Sequence, residues 1–420
     1  AARGFWLVYV VLRLGDIGLL STIKILLAAS GTLEITPALE AASVLSGAQL
    51  GWVIFGLLLA VWVKLGNWPL HLWIDWGHGL SLEAHAWLFS IVMPNLGAYL
   101  LYRVTPLLAA GGAAQTFILW LAAGGAMLAV ITALTRRRPR GAMVAIAAAR
   151  GALLVFAAAS GLKAAVWLGL LATTPLQLLL FLAGKAPEKG ASSLMGRAAQ
   201  GLSLLAGLAL ASVGLLITWW ARETGVPLDA LFVAEATVAL LIVWAVREAI
   251  REHSADESIG SSLPRWAAMG TLALVVMVGG TAFRPLASWL SSSAGLPALE
   301  VPTLPTLLRY VISTPALLLT TTLVMVTWQM QRRARLSVQL PGPADEEPFE
   351  TTYNLQEGLE EAARALRAIV EVGLFEQIIA GTVRVVVDGA RVTYDFVEQE
   401  GLEGLLRRTV EAVLKLSRAI

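Results

Sequence analysis

The chain has 420 residues, of which 57% are hydrophobic and only 14% charged, with a net charge of +2 and a mean hydropathy of +0.73. A soluble core of this size cannot hide so much apolar surface, so the composition points to an all-α, multi-pass membrane protein. There are no cysteines, which excludes disulfides, thiolate metal centres and cysteine-ligated iron–sulfur clusters on this chain; the four histidines are too scattered for a haem or zinc constellation.

Apolar segments long enough to cross a bilayer at ~1.5 Å per residue are predicted near 5–29, 47–65, 84–104, 113–135, 141–161, 163–184, 200–221, 230–248, 265–287 and 308–330, about ten in all. The chain opens without an initiator Met and runs almost directly into the first segment, so a missing N-terminal portion is expected. Basic clusters follow every second segment: Arg136-Arg137-Arg138-Pro139-Arg140, then Lys185, Lys189 and Arg197, then Arg247 and Arg251, then Arg332, Arg333 and Arg335. The loops between them, 30–46, 105–112 and 222–229, carry few cations. This positive-inside pattern predicts that the basic loops and the C-terminal tail are cytoplasmic, and the expected location is the cell inner (cytoplasmic) membrane.

The expected division is a transmembrane domain over 1–336, a linker over 337–354 and amphipathic helices over 355–420. Pro341-Gly342-Pro343 and Asp345-Glu346-Glu347 mark the linker. Beyond it, Leu355, Leu359, Ala362, Leu366, Ile369 and Val370 recur at helical spacing, as do Leu402, Leu405, Leu406, Val410, Val413, Leu414 and Leu416. These stretches are too charged to span; they suit a helix lying along the membrane surface or across neighbouring subunits, and an ordinary cytoplasmic tail is the plainer alternative.

Charges inside the apolar segments carry the functional information, because an ionisable group in a bilayer is costly. Arg13 and Asp16 are three apart in the first segment and share a helix face, where they can pair. Asp16 can alternatively face Lys64, which ends the second segment and opens the run Lys64-Leu65-Gly66-Asn67-Trp68-Pro69-Leu70-His71-Leu72-Trp73. The proline and polar residues of that run predict a broken helix beside the charge, the arrangement from which transport proteins build ion sites. Next come His71, Asp75, His78, Glu83 and His85, which admit a proton relay or a plain polar loop; their spacing fits no standard helical metal-ligand pair, and no metal is expected. Arg150 falls within the fifth segment. Lys163, Arg222 and Glu223 fall near segment ends, where they can snorkel, and Gln177 falls within the sixth. The 15 Trp residues are expected at the interfaces as anchors.

Two of these stretches carry a family resemblance. Leu12-Arg13-Leu14-Gly15-Asp16 resembles the pattern T-R-x-G-D, and Lys64 to Trp76 resembles K-S-A-Q-x-P-L-H-x-W-L-P-D, keeping Lys64, Pro69, Leu70, His71 and Trp73. Gly97, Tyr99 and Arg103 fit G-x-Y-L-x-x-R. Over roughly residues 5–250 the chain thus resembles the proton-antiporter family. That family comprises antiporter-like membrane subunits of respiratory complex I (NADH:quinone oxidoreductase), of membrane hydrogenases and of Mrp-type antiporters. The resemblance implies that Lys64 pairs with a carboxylate to relay protons or transmit a conformational signal. The amphipathic tail resembles the lateral helix of the largest distal complex I subunit, which straps its neighbours.

The departures are equally informative. Where the family reads G-P-T-P-V-S-A-L-I-H, the chain has Gly79 to Leu88, without the prolines and with Leu88 or Phe89 in place of the channel histidine. Where the family reads T-H-A-F-F-K, Thr173 replaces the His and Gln177 the central Lys. Where it reads G-I-P-P-L-S-G-F-W-S-K-D-E, Arg222-Glu223 replace Lys-Asp. Arginine stays protonated and is a poor relay. Either the second half of the path is vestigial, or it is rerouted through Arg150, Lys163 or the His71–His85 cluster.

The expected function is an antiporter-like subunit of a complex I-related assembly that couples redox energy to proton or cation translocation. Asp16 and Lys64 form its coupling pair, Arg13 orients Asp16, and His71 lies nearby as relay. Asp75, His85, Arg150, Lys163, Arg222 and Glu223 are the further path candidates. No cofactor is expected on this chain; its expected partners are the bilayer and other membrane subunits, with no nucleic acid. A membrane subunit of an inorganic-carbon uptake complex and a proton-inactive spacer are the alternatives.

Overall fold

A computed structural model describes residues 2–75, 87–109, 112–136, 139–183, 194–250, 263–297, 300–318 and 322. Among them every regular element is helical. The helices are α1 (Ala2–Ser30), α2 (Ile35–Glu40), α3 (Gly47–Leu65), the short turn α4 (Leu72–Asp75), α5 (Met93–Leu108), α6 (Gly112–Thr135), α7 (Pro139–Ala159), α8 (Lys163–Ala183), α9 (Leu194–Glu223), α10 (Leu228–Ile250), α11 (Leu263–Thr281), α12 (Phe283–Ser293) and α13 (Leu304–Ser313). The bundle discussed here is the compact unit Val11–Arg364; a second unit comprises Ala1–Val10 and Ala365–Ile420, of which only the start of α1 is among the described residues.

The protein is an all-α polytopic membrane protein. Six described helices are long and apolar enough to span: Gly47–Leu65, Gly112–Thr135, Gly141–Ala159, Lys163–Ala183, Arg197–Glu223 and Leu228–Glu248. A seventh span is obtained if Trp266–Thr281 and Phe283–Ser293, bent by 84° at their junction, count as one broken crossing. About ten spans were predicted, and the described residues show six or seven of them. Helix α1 is 29 residues long but carries Arg3, Arg13, Asp16 and Lys24. The third segment enters α5 through a π-helical turn, Trp87–Val92, and the predicted residues before it lie outside the description. Most of the tenth, the linker and the tail also lie outside it.

Helix α7 is the axis of the bundle. Its span Gly141–Ala159 is buried along its whole length. Ala142, Ala145, Ala148, Ala149, Ala152 and Gly151 keep its surface thin, so α3, α5, α6, α8 and α9 can all pack against it. Between membrane helices, where lipid is as apolar as any side chain, such close backbone approach is what drives association.

Helix α3 has sharply defined ends. Ser46 caps its N-terminus by accepting from the Gln49 backbone N–H, while the Gln49 side chain accepts from the Ser46 N–H, a reciprocal capping box. Gly66 ends the helix in the left-handed region at φ 65°, a conformation that favours glycine. The freed carbonyls are taken up locally. Gly66 N donates to Val63 O and Asn67 N to Trp62 O, both at 3.0 Å, and the Trp73 indole also donates to Val63 O at 3.1 Å. Trp62, Trp73 and Trp244 are buried rather than interfacial, and the Trp62 indole donates to the Trp68 carbonyl at 3.1 Å. Several tryptophans therefore tie backbone together inside the bundle instead of anchoring it in the headgroups, a role that composition does not reveal.

Helix α1 crosses α3 antiparallel, with Gly15 facing Val63, Gly18 facing Gly56 and Thr22 donating to Val53 O at 3.3 Å. A β-carbon on Gly18 would lie 2.8 Å from the Gly56 carbonyl oxygen, and one on Gly56 would lie 2.5 Å from that of Gly18. This register sets Asp16 opposite Lys64. Gly56→Val is expected to push the two helices apart and destabilise the protein by about 1–3 kcal/mol, read as a lowered melting temperature in detergent; an unchanged melt would show that the contact does not hold the pair.

Candidate functional site

Lys64 occupies the last turn of α3, where the partial negative charge of the helix C-terminus favours a cation. Its Nζ donates to Asp16 Oδ1 at 3.1 Å, and Arg13 Nη1 donates to Asp16 Oδ2 at 3.1 Å. The sequence left open whether Asp16 pairs with Arg13 or with Lys64; it does both, one oxygen each. Arg13 is mostly exposed, whereas Lys64 is largely covered, at 20% of its side-chain surface. The carboxylate thus bridges an outer and an inner cation. If Lys64 lets go, Asp16 is still compensated by Arg13, so the contact can break without stranding a bare carboxylate.

The scaffold around Lys64 is tight. A β-carbon on Gly97 of α5 would lie 2.9 Å from Leu65 N and 3.1 Å from the Lys64 carbonyl carbon. The other two residues of that motif join: Arg103 donates to Tyr99 Oη at 3.2 Å and to Thr36 Oγ1 at 3.1 Å. Behind the helix end, the fully buried Asn67 has no hydrogen-bond partner on its side chain and faces Gly151 of α7, where any larger residue would strike it. His71 is buried in the same turn. Asp75 closes α4, but its side chain lies outside the described residues, as do His78, Glu83 and His85.

The remaining candidates are dispersed. Gln177, at the family's central lysine position, is fully buried and donates to the Met143 carbonyl at 3.4 Å, while its Oε1 has no partner. Nearby on α8, Thr173 donates to Gly169 O, and Thr174 donates to Asn95 Oδ1 at 2.9 Å, tying α8 to α5. Lys163 starts α8 with its ammonium 4.8 Å from the centre of the Tyr102 ring, a cation–π contact. Arg150 lies buried in the middle of α7.

One charged cluster was missed. Arg222 does not associate with its sequence neighbour Glu223, which is exposed, but lies 3.6 Å from Glu235 Oε1 of α10. The Arg222 guanidinium also stacks 5.0 Å from the centre of the Tyr310 ring, and the Tyr310 hydroxyl donates to the same Glu235 oxygen at 2.5 Å. Glu235 is only 2% exposed. The signal was present, since Glu235 is a lone acid inside the apolar run from Leu231 to Ala245, and the rule that marked Lys64 marks it too. Its tyrosine partner lies 75 residues further along the chain, beyond the reach of any spacing argument.

The structure is a multi-pass helical bundle in which an ion pair bridges two helices at a helix break. Residues 5–250 match the model of a family described as NADH:quinone oxidoreductase/Mrp antiporter, transmembrane. The match covers more than half of the chain, and the protein belongs to this family. In the solved structure of the membrane-bound sulfane sulfur reductase, an archaeal respiratory membrane complex, one chain is similar with a TM-score of 0.68 at 17% identity, over 100% of this chain and 77% of that one. A chain of the Mrp complex from Dietzia sp. DQ12-45-1b is similar with a TM-score of 0.64 at 17% identity, over 99% of this chain and 46% of that one. This chain therefore spans less than half the length of that subunit. At such identity the likeness shows a shared fold. Among curated proteins, none matches.

Tyr310 also packs with Val238, Ala239 and Leu317, so it ties α13 to α10 by both polar and apolar contacts. Tyr310→Phe keeps the ring and removes the bond to a buried carboxylate, and is expected to cost about 1.5–3 kcal/mol. Chemical or thermal unfolding in detergent measures it; a neutral result would show that Glu235 is satisfied without the phenol.

Proposed function

We propose that this chain is an antiporter-like subunit of a complex I-related or Mrp-type membrane complex and that it couples energy from partner subunits to proton or cation translocation. The observation that carries this reading is the 3.1 Å bridge between Lys64 at the end of α3 and Asp16 on α1. It is a lysine–carboxylate pair on two different helices, so a change in the relative position of those helices changes the charge balance at Lys64. Moving the carboxylate away from the ammonium removes a close opposite charge, a large change in the local field where the dielectric is low. Arg13 keeps Asp16 compensated in both positions.

In this reading the partners are other membrane subunits, strapped by 355–420, with no redox cofactor on this chain. The basic loops and the tail face the cytoplasm of an inner membrane. Family membership and the fold shared with subunits of a respiratory membrane complex and of an Mrp complex support the reading. Lys64→Ala is expected to abolish coupled transport in the reconstituted complex while leaving assembly intact. Full transport in that variant would sink the proposal.

The proton-inactive spacer remains a second reading because of Gln177, an uncharged, fully buried amide engaged by the Met143 carbonyl at the family's lysine position. Transport by the native complex, measured beside Gln177→Lys, separates the two. Native transport shows that the route does not need a lysine there, whereas transport only in Gln177→Lys favours the spacer.

A further inference from the structure

A cavity of about 260 Å³ opens between α1, α2, α3 and α5. Leu26, Leu57 and Val104 are buried in its walls, and Leu33, Ile35 and Tyr99 form an exposed apolar rim. It follows α1 from Leu19 to the loop beyond Ser30, about 16 Å of helix. The volume is space for roughly eight or nine methylene groups, each the size of a water molecule at ~30 Å³. Water gains little there, because it needs several polar partners, and the hydroxyl of Thr22 already donates to Val53 O. The space suits a stretch of hydrocarbon chain.

The polar end of the cavity is Arg103. Its guanidinium is held at the rim by two exposed residues, donating from Nη1 to Tyr99 Oη and from Nη2 to Thr36 Oγ1. One N–H on each of these nitrogens and the Nε–H remain, a set of donors suited to a phosphate. No carboxylate among the described residues forms an ion pair with Arg103. The arginine stands near the end of α5, where α1 also ends and α3 begins, so the rim lies at the level at which helix ends meet lipid headgroups. Thr36 is flanked in the chain by Glu34 and Glu40, both exposed and both without an ion pair. This edge of the bundle thus offers one cation for an anion and two carboxylates for a cation.

We propose that the cavity binds one zwitterionic phospholipid of the phosphatidylethanolamine class. Arg103 holds its phosphate, Glu34 and Glu40 face its ammonium, and the headgroup-proximal part of one acyl chain fills the space between α1, α3 and α5. A fatty alcohol supplies the chain but no anion for Arg103. An anionic phospholipid supplies both but leaves a net negative charge beside the two glutamates. The bound chain covers the apolar rim and joins α1 to α5, next to the crossing that sets Asp16 opposite Lys64.

The test uses the intact chain with its copurifying partners, stripped of lipid in detergent. Melting is followed while dipalmitoyl phosphatidylethanolamine, phosphatidylglycerol with the same chains, or hexadecanol is added. Phosphatidylethanolamine is expected to raise the melting temperature saturably, as a ligand of the folded state does, and at lower concentration than the other two. Arg103→Gln, which keeps hydrogen bonding without the charge, is expected to need about tenfold more of it for the same rise. No saturable rise, an equal response to phosphatidylglycerol or hexadecanol, or an undiminished response in Arg103→Gln overturns the proposal. If Arg103→Gln does not assemble, phosphatidylethanolamine carrying a photoreactive diazirine in its acyl chain decides on the native protein. Crosslinks concentrated on residues 19–27 and 99–104 support the site. Crosslinks spread evenly over the exposed helix faces, or a cavity occupied by a segment of a copurifying subunit, overturn it.

Discussion

The constraint on which the rest depends is the expense of keeping a charge out of water. Lys64 is affordable at the end of α3 because three things converge there: the negative end of a helix, a carboxylate from a crossing helix, and a turn that satisfies its own freed carbonyls. Remove the turn, and unsatisfied carbonyls are left beside the lysine. Remove Asp16, and the ammonium stands alone. The pair is therefore both a structural joint between α1 and α3 and an electrostatic contact between two helices.

The glycines make that joint possible. Gly18 and Gly56 let two backbones meet, and Gly97 lets α5 press against the Lys64–Leu65 peptide. With the backbones fixed, the side chains of Asp16 and Lys64 must meet at one place, and small helix displacements become changes in one ion-pair distance. The exposed Arg13 extends the pair to the surface of the bundle.

Much of this was legible in the sequence, and the limits have physical reasons. Helix periodicity and length located α3, α6, α7, α8, α9 and α10, because a bilayer imposes a long apolar run that few other structures need. The cost rule located Asp16 and Lys64, and the structure adds that the carboxylate is shared. What did not come through were interactions between distant stretches. The partner of Arg222 is Glu235, not the adjacent Glu223, and its stacking ring is Tyr310. The tryptophans near segment ends looked interfacial because interfaces and helix turns share the same positions along the chain; only the indole hydrogen bonds separate the two roles.

The bundle uses three answers to the same problem. At Lys64 and again at Arg222 a cation meets a carboxylate from a different helix. At Gln177 the charge itself is gone, and a neutral amide bonds a backbone carbonyl instead. At Arg150 the charge remains and no described carboxylate answers it. These choices are linked. A lysine at position 177 would put a second cation on α8, beside the helix that already carries the uncompensated Arg150, and like charges in a low-dielectric interior repel strongly. A neutral residue at 177 avoids that repulsion. The centre of the bundle thus holds a buried neutral amide on α8 and a buried arginine on the neighbouring α7.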